Sequence, residues 1–375
     1  MNVAFKENKN ALTLGVELEF QVLDKSTLQL TPRASEILNA IDSQRLTHEF
    51  FQSTLEVVTG VCKDVHEADK DLRESIRKVN DTASRLGLCF ASTGTHPQAD
   101  YRERLITDSP RYGELIDRNQ WLIRRMAVYG MHVHIGMRSG DECIRYNNFF
   151  LHFVPHLIAL SASSPYWQKM DTGLASCRPT MYEALPTAGM PYIVKNWKEF
   201  EKLVQFLTRA DAIRSLKDLW WDLRPSPGWG TLELRICDVP ASQREMLGLV
   251  AFIHCLAHWF HDHHEEWGKA HAPIRRWIFR ENKWRAIRYG LDASVIVSRT
   301  GKTRALRKDM AMWIKELAPY AERLGYQAFM SVIPDLLKYG NSAQRQRKKF
   351  AERGDLLDVV RHNVKEFAQG EPLWN

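Results

Sequence analysis

The sequence carries acidic and imidazole side chains at alternating positions of several short segments. They are Glu17 and Glu19, then Glu56, then His132 and His134, and finally Glu233 beside Arg235. Carboxylates with one imidazole suit Mg²⁺ or Mn²⁺, which prefer oxygen ligands and keep waters that phosphate oxygens can replace. The pattern therefore predicts a divalent-metal site with room for phosphate oxygens.

The same residues have a simpler interpretation, in which they pair with scattered arginines on a solvated sheet face. Like charges that lie opposite each other destabilise a sheet, and a divalent cation removes that cost. A solvent-facing sheet would normally mix Lys, Thr, Ser and Glu, whereas these faces carry little lysine. We favour the metal interpretation and keep the solvated face as its alternative.

These residues fall on segments in which polar and apolar positions alternate, which is the period of a β-strand. In 130–138 both histidines fall on one face and the apolar residues on the other. In 229–238 we predict that Glu233, Arg235 and Cys237 share a face. The strands are predicted over about 12–22, 49–61, 88–94, 130–138, 218–224 and 229–238, with a Pro/Gly turn joining the last two into a hairpin.

Helices account for most of the remaining chain. They are predicted over about 32–42, 64–86, 111–128, 141–161 and 197–215, and over most of 242–369, while 162–192 is predicted to be a long functional loop. Strands do not alternate regularly with helices, which disfavours a Rossmann fold or a TIM barrel. We predict an α+β fold, in which an antiparallel or mixed sheet packs one apolar face under helices.

Three segments also carry a family resemblance: Thr13–Phe20 (TLGVELEF), Gly130–Gly136 (GMHVHIG) and Gly230–Arg235 (GTLELR). Shorter stretches at 164–167, 171–173, 185–189 and 284–293 support them in the same order. Together they resemble the signatures of the YbdK-type carboxylate–amine ligases, a branch of the glutamate–cysteine ligase superfamily also described as glutamate–cysteine ligase type 2. The resemblance covers nearly the whole chain.

The resemblance implies a single catalytic domain over 1–375, with a mostly helical C-terminal part over 242–375. It implies a curved, mainly antiparallel sheet like that of glutamine synthetase, with helices on its convex face and the substrates on its concave face. By similarity, the metal ligands are Glu17, Glu19, Glu56, His132 and Glu233. By the same similarity, the residues that bind the nucleotide are Glu19, His132, Glu233 and Arg235. The residues that take part in catalysis are Glu56 and Arg235. His134 shares the face, but its role stays open.

The reaction that the resemblance implies uses ATP with Mg²⁺ or Mn²⁺. A substrate carboxylate attacks the γ-phosphorus to form an acyl phosphate, and an amine then displaces phosphate to form an amide. Arg235 would stabilise the equatorial phosphate oxygens. The default substrates are glutamate and cysteine. The sequence has no Gly-rich phosphate-binding loop, as expected for this family because metals hold the phosphates.

Two other functions stay open at this point. One is a metal-dependent amidohydrolase that uses His132 and His134, although such an enzyme has no need for the pair Glu17 and Glu19. The other is a non-catalytic nucleotide-binding protein on the same fold, which the complete set of acidic residues argues against. Dependence of the reaction on ATP distinguishes the ligase from both.

A histidine-rich run between residues 254 and 264 invites a zinc interpretation. His254, His258 and His261 have the i, i+4, i+7 spacing of one helix face, which can gather metal ligands. The HExxH motif is missing, so we favour packed or surface histidines. Arg178, Arg285 and Arg288 accompany the family motifs, and structural pairing is as good an interpretation for them as contact with a substrate.

Composition sets limits on the partners. The formal charge is +7 in 375 residues, which we read as a basic surface around an anionic small-molecule site rather than a nucleic-acid interface. The basic run 345–349 lacks interleaved aromatic residues and is predicted to be a solvated helix face. The polar N-terminus and scattered single cysteines lead us to expect a cytoplasmic, reduced protein that binds no membrane. Relatives suggest a homodimer.

Overall fold

The structure is a computed structural model, and it describes residues 3–8, 11–270 and 275–374. Its strands are β1 (Leu14–Asp24), β2 (Leu46–His48), β3 (Thr54–Val58), β4 (Leu88–Ala91), β5 (Gly130–Gly136), β6 (Tyr166–Trp167), β7 (Met170–Asp171), β8 (Leu223–Ser226), β9 (Thr231–Asp238), β10 (Ser294–Ile296) and β11 (Thr303–Ala305). Its helices up to residue 209 are α1 (Ala34–Ala40), α2 (Val65–Arg85), α3 (Pro110–Asn119), α4 (Trp121–Arg124), α5 (Gly140–Phe150), α6 (Val154–Ser161), α7 (Arg178–Tyr182) and α8 (Trp197–Arg209). The C-terminal helices are α9 (Gln243–Ala270), α10 (Arg276–Tyr289), α11 (Leu306–Leu324), α12 (Gln327–Met330), α13 (Val332–Tyr339), α14 (Ser342–Arg353) and α15 (Leu356–Gln369).

The centre of the molecule is an antiparallel sheet in the order β2-β3-β1-β5-β9-β8, with β4 also paired to β1. The register of its strands brings the acidic and imidazole residues of the predicted site side by side. Glu17 lies opposite His132, Glu19 lies opposite Glu56, and His134 lies opposite Glu233. The prediction of an α+β fold built on a mainly antiparallel sheet is confirmed.

The apolar face of this sheet forms the main core of the protein. Val16, Leu18 and Phe20 of β1 are buried, as are Val133 and Ile135 of β5. Helices α2, α6, α9 and α15 cover this face. Because successive strand residues point to opposite faces, burying this apolar set presents the acidic set to the other side.

Helix α2 shows why the covering helices form where they do. Asp64 caps its N-terminus, and its carboxylate accepts a hydrogen bond from the Glu67 backbone N–H. Its buried residues recur every three or four positions, which gives one apolar stripe toward the sheet. They are Val65, Ala68, Leu72, Ile76, Val79, Thr82 and Ala83.

Strand β9 departs from the predicted alternation because it contains a β-bulge. Val133 lies opposite Leu234, but Met131 lies opposite Cys237, so β9 has one extra residue between these pairs. Cys237 therefore turns into the core with Met131, and both side chains are fully buried. The prediction that Cys237 shares the face of Glu233 and Arg235 is wrong.

Other elements are shorter than predicted, for local reasons. The helix predicted over 111–128 is divided into α3 and α4 at Gln120, whose φ is 49°. The helix predicted over 141–161 is divided into α5 and α6, and Pro155 stands in the first turn of α6, where its missing N–H is tolerated. The predicted loop 162–192 contains β6, β7 and α7.

The described part of the chain after residue 242 is helical apart from the β10–β11 hairpin and a short 3₁₀ turn before it, as predicted. Among the helices of the described ranges, none combines the length and the apolar character that a membrane span requires. All six cysteines have free thiols, and five of them are buried, which agrees with the expectation of unpaired core residues.

Candidate active site

The polar face of the sheet forms the floor of a cavity of about 630 Å³. Phe50, Tyr112 and Trp220 line its walls, and the β8–β9 turn, including Trp229, forms part of its rim. All the residues predicted to bind metal or nucleotide open onto this one cavity: Glu17, Glu19, Glu56, His132, Glu233 and Arg235, with His134 beside them.

One group of possible metal ligands consists of Glu17, His132 and Glu233, whose donor atoms lie within 4.8 Å of one another. His132 Nδ1 is 2.9 Å from a Glu17 carboxylate oxygen and 3.9 Å from a Glu233 oxygen. His134 Nε2 lies 3.1 Å from the other Glu17 oxygen. His134 is therefore a hydrogen-bonding partner of Glu17 in this structure.

A second group consists of Glu19, Glu56 and His132, also within 4.8 Å of one another. His132 Nε2 is 3.9 Å from a Glu19 oxygen, and the Glu19 carboxylate accepts a hydrogen bond from the Gly130 backbone N–H. The two nitrogens of His132 thus face different carboxylate groups. One imidazole joins two possible cation positions.

Two arginines on the cavity floor donate hydrogen bonds to the carboxylate of Glu233. Arg224 Nε donates to a Glu233 oxygen at 2.9 Å, and Arg235 donates to the other oxygen. The Arg235 backbone N–H is fixed by the Asp222 carbonyl at 2.8 Å. The β-bulge of β9 lies just beyond Leu234. The Arg235 side chain faces the cavity, whereas the side chain of Cys237, after the bulge, points into the core.

The protonation preferences of the two groups differ. Burial raises the pKa of Glu19 to about 8, with repulsion from Glu49 adding to the effect, and burial with the neighbouring carboxylates raises the pKa of Glu56 well above its usual range. Burial also acts to raise the pKa of Glu17, but hydrogen bonds from His132 and His134 outweigh it and lower that pKa. Burial and the nearby Arg235 lower the pKa of His132 to about 4, so its imidazole is neutral and available as a ligand.

The group around Glu19 and Glu56 is therefore the one that most needs a cation. Without positive charge, two buried carboxylates beside each other favour protonation. Mg²⁺ or Mn²⁺ fits this donor set because the set combines several carboxylate oxygens with one neutral imidazole. The structure thus brings the five predicted metal ligands together in one cavity, and their role as metal ligands stays a prediction.

Sequence reasoning missed some residues of the site. Glu49 and Arg224 also line the cavity. Glu49 opens the strand predicted over 49–61, where alternation puts it on the face opposite Glu56, but in the structure β2 ends at His48 and β3 begins only at Thr54. Arg224 stands where the predicted strand meets the turn, so alternation assigns it no face.

Arg178, which the sequence left open between substrate contact and structural pairing, lies at the edge of the floor. Its guanidinium is 3.5 Å from His132 Nε2 and 3.1 Å from the Arg235 carbonyl oxygen. Its proximity to Gly130, where a Cβ atom would overlap the guanidinium, was not visible in the sequence.

The remaining predicted candidates lie elsewhere. His254 is buried and bonds to the Tyr326 hydroxyl and the Leu12 carbonyl oxygen. These two hydrogen bonds support the interpretation of His254 as a packed histidine. Among the described residues, no metal-capable group includes His254, His258 or His261. Arg285 bonds to Glu281, and Arg288 to the Gly173 carbonyl oxygen.

The fold resembles that of two solved ligases. A glutamate–cysteine ligase from Francisella tularensis, solved in complex with AMP, superposes with a TM-score of 0.68 at 14% identity, covering 96% of this chain and 90% of that one. A bifunctional glutathione synthetase from Pasteurella multocida superposes with a TM-score of 0.66 at 15% identity, covering 96% of this chain and 53% of the other. At these identities the likeness concerns the fold, which is that of the glutamate–cysteine ligases.

The family follows from sequence similarity. The family model "Glutamate-cysteine ligase family 2 (GCS2)" matches residues 13–362. A Frankia casuarinae protein named "Putative glutamate--cysteine ligase 2-1" is 39% identical over 100% of this chain and 99% of its own length. A Bdellovibrio bacteriovorus protein named "Putative glutamate--cysteine ligase 2" is 43% identical over 93% of this chain and 92% of its own length.

The chain belongs to glutamate–cysteine ligase family 2. It is a ligase enzyme, and the resemblance found in its sequence motifs is confirmed. Family membership disfavours both alternatives, the amidohydrolase and the non-catalytic nucleotide-binding protein.

Proposed function

We propose that this protein is an ATP- and metal-dependent carboxylate–amine ligase that forms an amide through an acyl phosphate. The observation that carries the proposal is His132, whose two ring nitrogens face two separate carboxylate groups in one cavity. Two adjacent cation positions under a pair of arginines suit the transfer of a phosphoryl group, because that chemistry relies on positioning and on stabilising charge.

The chain's own residues would contribute as follows. Glu17, Glu19, Glu56, His132 and Glu233 would hold Mg²⁺ or Mn²⁺, which would supply positive charge to phosphate oxygens and to the substrate carboxylate. Arg235, fixed by Glu233 and by the Asp222 carbonyl, would donate hydrogen bonds to the phosphoryl oxygens as negative charge builds up on them. The aromatic side chains on the cavity walls, Phe50, Tyr112 and Trp220, would limit the access of water that could hydrolyse the acyl phosphate.

Glutamate and cysteine are the proposed substrates, by similarity to the named relatives. We further propose that residues 1–375 act as one catalytic domain, with 242–375 as its mostly helical part, in a cytoplasmic homodimer. Light scattering on a size-exclusion column measures the dimer, and a monomeric mass at micromolar concentration would contradict it.

The test of the activity is a screen for ADP release with amino acids crossed against amines, in the presence of Mg²⁺. We expect ADP release that depends on both partners and yields the amide. Cleavage of an amide without ATP would refute the ligase. Failure to bind Mg-ATP in calorimetry would equally contradict the proposal.

A further inference from the structure

A second cavity, which we call the tryptophan cavity, opens between helices α9 and α11. Trp259, Trp267 and Trp313 line it together with Glu266 and Glu316. Its volume is about 370 Å³, which is at the lower end of the range for small-molecule sites. It shares no lining residue with the active-site cavity. Because α9 covers the apolar face of the sheet and the active site lies on the polar face, a ligand here would not occupy the catalytic site.

The three tryptophan rings form the walls of the tryptophan cavity. Trp267 and Trp313 each meet Trp259 edge to face, with ring centroids at 5.7 Å and 5.1 Å. The rings of Trp267 and Trp313 are inclined by 54° to each other, at 6.2 Å between centroids. Trp259 is only 9% exposed, whereas the other two are half-buried. Trp259 therefore forms the base, and the other two rings keep surface that a ligand can contact.

The core of the protein holds these rings in place. Phe149 lies edge to face with Trp267 at 5.1 Å, and Phe153 lies edge to face with Trp313 at 4.8 Å. Both phenylalanines are fully buried. The indole N–H of Trp259 donates a hydrogen bond to a carboxylate oxygen of Glu316 at 3.0 Å. The aromatic walls are therefore preorganised, which lowers the entropic cost of binding.

The charged side chains of the tryptophan cavity favour a positively charged ligand. Glu266 and Glu316 lie on its exposed rim. Among the described residues, no basic side chain lies within 4 Å of either carboxylate. Arg304 also lines the cavity, but its guanidinium is paired with Asp309. The negative charge of the two glutamates is therefore not matched within the described lining.

Aromatic walls beside carboxylates are complementary to an organic cation, and tryptophan is the ring that attracts cations most strongly. A primary ammonium ion is strongly hydrated and carries three N–H donors, for which indole faces offer no oxygen acceptors. A quaternary ammonium ion has no N–H group, and its methyl groups pack on aromatic rings. We propose that the tryptophan cavity binds a small quaternary ammonium ion, with the charge over the indole rings and near Glu266 and Glu316. This inference does not depend on the proposed ligase function.

Calorimetric titration of the full-length protein with choline tests the inference. The matched ligand is the neutral carbon analogue of choline, in which a tert-butyl group replaces the trimethylammonium group. Mg²⁺ is present throughout, so that choline does not occupy the acidic floor of the active site. We expect saturable binding of one choline per chain. The neutral analogue should bind about three- to thirtyfold more weakly, the range for cation–π contacts.

Two variants test the walls and the charge separately. Trp313→Leu keeps an apolar side chain but removes one aromatic wall, and it should raise the Kd for choline about three- to thirtyfold. Glu266→Gln removes an exposed charge without touching the core, and it should raise that Kd about two- to fivefold while leaving the neutral analogue unaffected. Trp284→Leu is the matched control, because Trp284 is an exposed tryptophan of α10 that lines neither cavity. It should bind choline as the wild type does.

Several results would overturn the inference. They are the absence of saturable choline binding in the wild type, equal affinities for choline and its neutral analogue, and an unchanged Kd in both variants of the cavity. Light scattering tests the other occupant, a second copy of this chain. If Trp313→Leu lowers the mass of the wild-type assembly, the second copy covers the cavity and the inference is wrong. ADP release is measured separately, so none of these results bears on the ligase function.

Discussion

At the scale of single residues, the site depends on how one imidazole is shared. His132 is almost fully buried, and its neutral ring places one nitrogen toward Glu17 and Glu233 and the other toward Glu19. A carboxylate at this position would add negative charge to a floor that already holds four acids. A single position of β5 can carry only one side chain, so one histidine with two ring nitrogens serves both groups.

Replacing Glu19 with Gln tests the group that contains Glu56. The amide keeps the size and can still accept from the Gly130 N–H, but it cannot carry the charge that a divalent cation needs. We expect turnover to fall at least about a hundredfold, since changing even the partners of metal ligands costs about ten- to a hundredfold. Circular dichroism and thermal unfolding should show the fold retained. Wild-type turnover in Glu19→Gln would refute the metal role.

The raised pKa of Glu19 leads to a prediction about pH. In the unfolded chain this carboxyl titrates near 4.5, and in the metal-free fold near 8. The folded state therefore binds the extra proton, so the metal-free protein should lose stability as the pH rises from about 4.5 to about 8. Mg²⁺ binds the ionised form, and its stabilising effect should grow over the same window.

The measurement is the unfolding temperature with chelator and with Mg²⁺, from pH 5 to pH 8.5. Glu19→Gln should flatten the metal-free curve. An Mg²⁺ effect that is the same at pH 5 and pH 8 would contradict the assignment.

At the scale of secondary-structure elements, Arg178 of α7 packs closely against β5 at the edge of the floor. The guanidinium of Arg178, which is 1% exposed, lies over the Cα atom of Gly130. It also stacks on Tyr182, at 4.6 Å from the ring centroid. A glycine at this position leaves the space that the guanidinium fills, and the adjacent position of β5 that shares the face carries His132.

Gly130→Ala should disturb this contact, because the buried Arg178 has little room to move. We expect a loss of about 1–3 kcal/mol in the free energy of unfolding, typical of overpacking, together with reduced turnover. Gly113→Ala is the control, since a Cβ atom there meets nothing within 4 Å. It should stabilise α3 by about 0.5–1 kcal/mol. Equal stability of the two variants would show that Gly130 does not hold this space.

The elements that the sequence predicts well are those with long, regular alternation. In β1 and β5 the apolar face is unbroken, so the positions of Glu17, Glu19 and His132 follow from a period of two. The bulge in β9 has no signature in alternation, and it moved Cys237 to the opposite face. Glu49 and Arg178 enter the site through tertiary contacts of a loop and a short helix, which no local pattern encodes.

At the scale of the whole molecule, a buried ionic cluster joins three C-terminal helices, α9, α14 and α15. Arg345 of α14 binds Glu245 of α9 at 2.9 Å and Glu366 of α15 at 2.6 Å, and all three side chains are almost fully buried. Helix α9 in turn packs against the apolar face of the sheet. The helical part and the sheet therefore share one core, which supports the proposal of a single domain.

Arg345→Ala should destabilise the protein by about 3–5 kcal/mol, because it leaves two buried carboxylates without their partner. Arg361→Ala removes an exposed pair with Asp358 and should change the stability by no more than about 0.5 kcal/mol. Scanning calorimetry should show one transition that shifts as a whole in Arg345→Ala. A separate early transition of the helical part would contradict the single domain.

The central position of β1 in the sheet has a consequence for the order in which the active site assembles during folding. Glu17 meets His132 only after 115 further residues have been synthesised, and His134 meets Thr231 of β9 only after another 97. Pairings of such long range form slowly. On the ribosome, strand β1 with Glu17 and Glu19 emerges well before the strands that pair with it. After dilution from denaturant, helical circular dichroism should return before Mg²⁺ binding and catalysis, so the refolding yield of active enzyme is set by this last assembly step.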